Sequence, residues 1–262
     1  MSAVDGVVVT HGANDDLTAC IIGVSREVRS LVLVDNLPPT PLPSVPNGMV
    51  LANPQPRSFA ENVNMAVAAT DAPYVAVVNP DCVPDPGAIA GLCAFLEDNP
   101  RAAIVAPQLR WPDGRQQPTG RSFPTVGATI VRRTPLRLLF PPLDLQRNHY
   151  RLGDRTDPWR ADWLLGAFWM IRRQAFDQVG GMDEGYPMYV EDIDLCARLR
   201  SVDHECWVLP EAGAVHEYQA VIDRRFLSHR NVWHLRGMTR FARKHPGLLV
   251  RPRSGRGTVA RR

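Results

Sequence analysis

The residues best placed to do chemistry form one cluster. Glu191, Asp192 and Asp194 lie within four positions, at the head of an apolar helical pattern that continues through Leu195, Cys196 and Ala197. Carboxylates so close together supply acid/base catalysis or a seat for a metal. Two other polar groups end strand-like apolar runs. Val75-Ala76-Val77-Val78 leads into Asn79-Pro80-Asp81, and Val208-Leu209 leads through Pro210-Glu211-Ala212-Gly213-Ala214-Val215 to His216. In an open α/β sheet the carboxyl ends of the strands line the edge where ligands bind.

The elements that must position these groups follow from hydrophobic periodicity. Val4 to Thr10 reads as a buried strand, a short helical segment starts at Asp15, and Leu31 to Val34 makes a second strand that ends at Asp35-Asn36. Five prolines between Leu37 and Pro46 force an extended or turning loop. Glu61 to Ala69 is an alanine-rich helix, Tyr74 to Val78 a third strand, Pro86 to Leu96 a helix and Ala103 to Ala106 a fourth strand. Pro107 to Thr125 is turn-rich, and Arg132 to Arg160 reads as an excursion over the active face. Trp163 to Ile171 is expected as one strand, followed by a helix near Gln174 to Val179 and a turn at Gly180-Gly181. Such alternation implies an α/β fold with a doubly wound, mostly parallel sheet.

A chain of 262 residues, 45% of them hydrophobic, can bury a large core. It has no apolar run near the ~18–20 residues that span a bilayer, and Met1-Ser2-Ala3-Val4-Asp5 lacks the pattern of a signal peptide, so a cytoplasmic location is expected. The five cysteines show no CxxC spacing, which argues against structural zinc and a disulfide framework. The net charge of +3 hides an asymmetry: residues 224–262 hold 12 Lys and Arg and no acid, leaving 18 basic against 27 acidic residues in 1–223. The chain therefore divides into a body, 1–223, and a basic segment, 224–262. In the latter Phe226, Trp233, Met238 and Phe241 recur at helical spacing up to Lys244. That helix packs on the sheet or meets a membrane surface, and its charge points to an anionic partner: a bilayer, a phosphorylated lipid or nucleic acid. No nucleic-acid reading motif accompanies it, so specific nucleic-acid binding is not expected. A solvated tail is the plainer alternative.

Taken in order, Val-Val-Thr, Val-Asp-Asn, Asn-Pro-Asp, Gly180-Gly181-Met182-Asp183-Glu184 with Glu-Asp-Ile-Asp-Leu, and Pro-Glu-Ala followed by His resemble glycosyltransferase family 2 over roughly residues 4–220. Trp163-Leu164-Leu165-Gly166-Ala167 and Ile171-Arg172-Arg173 are most similar to bacterial rhamnosyltransferases of cell-wall and O-antigen assembly. The resemblance implies a single nucleotide-sugar-binding α/β domain of GT-A type, with a mostly parallel mixed sheet flanked by helices. It implies an inverting displacement that moves a sugar, L-rhamnose from dTDP-L-rhamnose in the leading reading, onto a lipid-linked or glycan acceptor. A UDP-sugar donor, or a degenerate relative that binds without turnover, are the alternatives.

The same resemblance assigns roles. Asp192 matches the general base and Glu191 an acceptor contact, while Asp194 reads as a helix-start residue favoured by the macrodipole. Asp81, with His216, matches the position that binds Mg²⁺ or Mn²⁺. Because Asn-Pro-Asp replaces the commoner Asp-x-Asp, much of that binding would pass through the nucleotide. Thr10, Asp35 and Asn79 fall on the donor side, Asp35 accepting from the base N3–H. Gly166 and Ala167 either let the backbone approach the donor sugar or serve close packing. Asp183-Glu184 read as supporting or capping groups. Leu37-Pro38-Pro39 stands where the family has Gly-Ser, and Arg57 to Asn64 replaces its glycine-rich turn. A peripheral place at the inner face of the plasma membrane follows from the lipid acceptor and the basic segment together.

Overall fold

The structure, a computed structural model, describes residues 4–12, 15–37, 41–124, 155–217 and 229–250. The strands are β1 (Val4–Thr10), β2 (Leu31–Asp35), β3 (Gly48–Ala52), β4 (Tyr74–Val78), β5 (Cys82–Pro84), β6 (Ala102–Arg110), β7 (Gly120–Arg121), β8 (Trp159–Ala161), β9 (Trp163–Leu164), β10 (Phe168–Arg172) and β11 (Glu205–His216). The helices are α1 (Asp15–Ser25), α2 (Phe59–Ala68), α3 (Ala88–Asp98), α4 (Arg173–Gln178), α5 (Glu191–Ser201), α6 (His229–Lys244) and α7 (Pro246–Val250).

Nine strands form the main sheet, in the order β3-β2-β1-β4-β10-β6-β11-β5 with β8 beside β11; β7 and β9 pair separately. The pairs β1–β2, β1–β4, β2–β3 and β6–β11 are parallel, while β10 runs antiparallel to both β4 and β6. This is the mostly parallel mixed sheet of a GT-A fold. Strands β1, β2 and β4 are buried throughout because helices cover both faces. The period of two sorts β1 cleanly. Val7 and Val9 face a core built with Val63, Val67, Phe176, Leu195 and Trp169, and Val4 and Val8 face one built with Leu17, Ile21, Ile89 and Leu92.

Several expectations are refined. The 163–171 strand is interrupted at Gly166-Ala167, giving β9 and β10. The fourth strand runs on into the turn-rich segment as far as Arg110. An edge strand, β3, follows the proline loop; its side chains are mostly exposed, so it lacks the buried-strand pattern. The basic helix is described from His229, and its expected start near Asp223, like most of the 132–160 excursion, lies outside the described residues. All five cysteines are buried and free. Among the described residues no helix is long and apolar enough to cross a membrane.

Candidate active site

Parallel register places the donor-side residues together. Thr10 and Asp35 are Cα partners at the ends of β1 and β2, and both are buried. The Thr10 hydroxyl donates to the Gly12 carbonyl at 2.6 Å, and Asp35 Oδ1 accepts from the Leu37 N–H at 3.1 Å. Behind them a buried amide network fixes the chain. Asn36 Oδ1 accepts from the Arg57 N–H and from Asn53 Nδ2, both at 2.8 Å, and Asn53 also donates to Asn62 Oδ1 at 2.6 Å. The segment in place of the family's glycine-rich turn is thereby ordered. Ser58 and Glu61 complete it with a capping box that opens α2.

The next strand end brings Asn79, whose backbone N–H donates to the Ala167 carbonyl at 2.8 Å. Asp81 follows, directly before β5. Because β5 pairs with the end of β11, with Cys82 opposite His216, Asp81 Oδ1 comes within 3.5 Å of His216 Nε2. The Asp81 carbonyl also accepts from the Glu217 N–H at 3.0 Å. Asp81 is partly exposed and His216 buried.

Gln117 orients that imidazole. Its Nε2 donates to the His216 carbonyl at 2.6 Å, and a carbonyl can only accept, so Oε1 is the atom 2.9 Å from His216 Nδ1. Nδ1 therefore carries the hydrogen and Nε2 is the nitrogen turned toward Asp81. An imidazole held from behind, beside a carboxylate oxygen, suits a hard divalent cation. Among the described residues no cluster of three or more His, Cys, Asp or Glu is set to hold a metal, and Asp81 with His216 makes a corner of two candidate ligands. A cation held there would have most of its coordination positions left for a diphosphate and water.

Asp192 reaches the same edge on the first turn of α5, with Glu191 before it. The two residues leading in, Tyr189 and Val190, have φ of 67° and 75°. For a β-branched valine this left-handed conformation is strained, and it persists because the surroundings impose it. Burial raises the affinity of both carboxyls for a proton. Glu191 rises further because the Asp192 charge adds to its burial, whereas the backbone N–H groups of Ile193 and Gly166 and the Arg121 guanidinium pull Asp192 back down. Asp192 also keeps a partly exposed edge. Both carboxyls are thus harder to ionise than exposed ones, Glu191 the more so because the repulsion of Asp192 adds to its burial. Glu191 Oε2 is buried with no hydrogen-bond partner.

Comparison with known proteins identifies the family. The model of "Glycosyl transferase family 2" matches residues 29–180. The N-acetylglucosaminyl-diphospho-decaprenol L-rhamnosyltransferase of Mycobacterium tuberculosis is 30% identical over 94% of this chain and 86% of its own length. The chain belongs to glycosyltransferase family 2. A second relative, the rhamnosyltransferase WbbL of Escherichia coli strain K12, is 42% identical over 84 residues, 32% of this chain and 31% of the relative. The crystal structure of GalNAc-T7 with UDP, GalNAc and Mn²⁺ superposes with a TM-score of 0.62 at 14% identity, covering 82% of this chain and 43% of that one. At that identity it speaks for the fold alone.

In this family 2 glycosyltransferase, Thr10, Asp35, Asn79, Asp81, Gly166, Ala167, Asp192 and His216 all come to the carboxyl edge of the sheet. Asp194 does not: it lies in the first turn of α5, as expected of a helix-start residue, and its side chain turns to other partners. Fully buried, it accepts from Tyr186 Oη at 3.0 Å and Arg198 Nε at 2.7 Å, and lies 2.7 Å from Lys244 Nζ and 3.0 Å from His245 Nε2. Burial alone would raise its affinity for a proton; the bonds from His245, Lys244 and Arg198 outweigh that and hold it below the usual carboxylate range. Asp183 is likewise an anchor, bonded to Arg240 at 2.9 Å and Lys244 at 2.6 Å. Gln117 and Arg121 escaped the sequence reading. A lone amide or arginine in a polar stretch carries no periodic signal.

Proposed function

We propose that the protein is a metal-dependent inverting rhamnosyltransferase, taking L-rhamnose from dTDP-L-rhamnose onto a lipid-linked diphospho-sugar at the cytoplasmic face of the membrane. The observation that carries this reading is the adjacent carboxyls Asp192 and Glu191 at the head of α5, on the same sheet edge as Thr10, Asp35 and the Asp81–His216 corner. The names of the curated relatives supply the sugar and the type of acceptor.

In this mechanism Asp192 takes the proton of the acceptor hydroxyl as its oxygen bonds to the anomeric carbon. The bond from that carbon to the diphosphate oxygen breaks on the opposite face, and its electron pair leaves with the nucleoside diphosphate. One base on one face is what a single inverting displacement needs. Glu191, holding its proton, offers a hydrogen bond to the acceptor beside the attacking oxygen. Asp81 and His216 would hold a divalent cation, which supplies neutralisation of the charge developing on the diphosphate. Thr10 and Asp35 close around the pyrimidine, where a buried carboxylate accepts from N3–H.

Calorimetric titration with dTDP and with UDP, each with and without Mn²⁺, tests the donor half. Metal-dependent binding that favours dTDP is expected. Preference for UDP would replace the donor, and binding of neither would leave a degenerate relative. Rhamnosyl transfer from dTDP-L-rhamnose to a polyprenyl-diphospho-N-acetylglucosamine tests the acceptor half.

A further inference from the structure

We propose that the outer face of α6 is a docking surface for an anionic lipid bilayer. The inner face of this helix is fully used. Phe241 is buried, with Phe123 at 6.3 Å and the His245 ring at 4.8 Å between centroids. Gly237 lies so close to the strained turn before the catalytic pair that a Cβ on it would stand 3.0 Å from the Tyr189 carbonyl oxygen and 3.1 Å from Val190 Cγ2. Arg240 and Lys244 close on Asp183, and Lys244 and His245 on Asp194, two residues after Asp192.

The opposite side presents a different surface. At about 100° per residue, Val232, Leu235, Arg236, Thr239 and Arg243 share one stripe. Leu235 is 68% and Val232 49% exposed, the two highest values for large hydrophobic residues among those described. Apolar side chains projecting beside guanidinium groups match the boundary between acyl chains and phosphate headgroups. The charge is complementary too, since residues 224–262 hold 12 basic residues and no acidic one. The stripe is convex, so a protein partner would need a matching groove, whereas a bilayer yields to it. The proposal rests on the reading of a lipid-linked acceptor for its use. It would put the acceptor's surface against the helix that braces Asp192.

The test is co-sedimentation of the full chain with phosphatidylglycerol-containing and with pure phosphatidylcholine vesicles, at low and high salt. Binding to the anionic vesicles, weakened by salt and at least about tenfold weaker in Val232→Asp/Leu235→Asp, is the expected result. Melting temperature and nucleotide binding should not change in that variant. Should it unfold, Arg236→Gln/Arg243→Gln keeps the apolar stripe and must lose the preference for anionic vesicles. Failure of the wild-type protein to sediment at low salt would overturn the proposal. So would undiminished binding by the aspartate variant, or a concentration-dependent dimer that the variant abolishes. Nucleotide titration reads the catalytic proposal separately, so loss of vesicle binding with intact dTDP binding would sink this inference alone.

Discussion

Gly166 lies directly against Asp192: a Cβ on it would stand 3.7 Å from the Asp192 Cβ and 3.3 Å from the Trp169 ring, and its N–H helps keep that carboxylate ionised. The space beside the candidate base is thus kept open by a missing side chain. Gly166→Val should fill it, lowering transfer by about 10²-fold or more through displaced reactants. Nucleotide without the sugar should bind as before, which titration with dTDP checks; equal loss of both would mean that the glycine serves packing.

Asp192→Asn removes the proton acceptor with little change of shape. Transfer should fall by about 10²–10⁴-fold with donor binding nearly intact. In the wild-type protein the acid limb of the pH–rate profile belongs to this group. Burial raises its pKa to about 6, so turnover should climb as pH rises through that value and the carboxylate ionises. A limb at the ordinary aspartate value would remove the burial argument.

Glu191 carries a cost in stability whose sign can be worked out. Its folded pKa, pushed up to about 8 by burial and by the Asp192 charge, lies above the ordinary value of 4.5. Below that ordinary value the group is protonated in both states and costs nothing. Between the two values the unfolded chain loses its proton more readily than the folded one, so native stability declines as pH rises. Glu191→Gln should therefore melt higher than wild type at pH 8 to 9, with the gap closing near pH 4. Thermal denaturation across pH measures it.

Gln117→Leu leaves Asp81 and His216, the candidate metal ligands, in place but removes the bond that fixes the imidazole. Loss of such an orienting partner costs about 10–100-fold in metal affinity. Titration of Mn²⁺ against the dTDP complex should show it, and Asp81→Ala should show at least as much. Unchanged metal dependence in both would move the cation elsewhere.

Asp194→Asn should act on stability. Its buried carboxylate gathers Arg198, Lys244 and His245, and breaking such a cluster from one side costs about 3–5 kcal/mol, less here because Lys244 and Arg198 keep some solvent. Chemical denaturation of the variant gives the value.

The strand ends that carry Thr10, Asp35 and Asn79 were legible because buried parallel strands read as short apolar runs that end at polar residues. The place of Glu191 and Asp192 was legible because consecutive acids at a helix start are conspicuous. Asp194 was legible as a helix-start residue but its anchoring role was not, because spacing reports neighbours on one helix, and Lys244 and His245 lie some fifty positions on. Gln117 was invisible for a similar reason: its partner His216 is 99 positions away. Strand β3 was missed because its side chains are mostly exposed, so no alternation marks it.

The irregularity in β11 has a genetic consequence. Leu209 pairs with Pro107 and Gly213 with Gln108, so three residues, Pro210, Glu211 and Ala212, bulge where the partner strand has none. An odd insertion reverses the strand's alternation, which is why Leu209 and Ala214, five positions apart, enter the same core. His216 inherits that reversed phase. A one-codon deletion within this trio, if passed down the strand and not absorbed by the bulge, would turn the imidazole through the sheet to its far side. The length of an irregular turn, more than the identity of its residues, is then the heritable property that points His216 at Asp81.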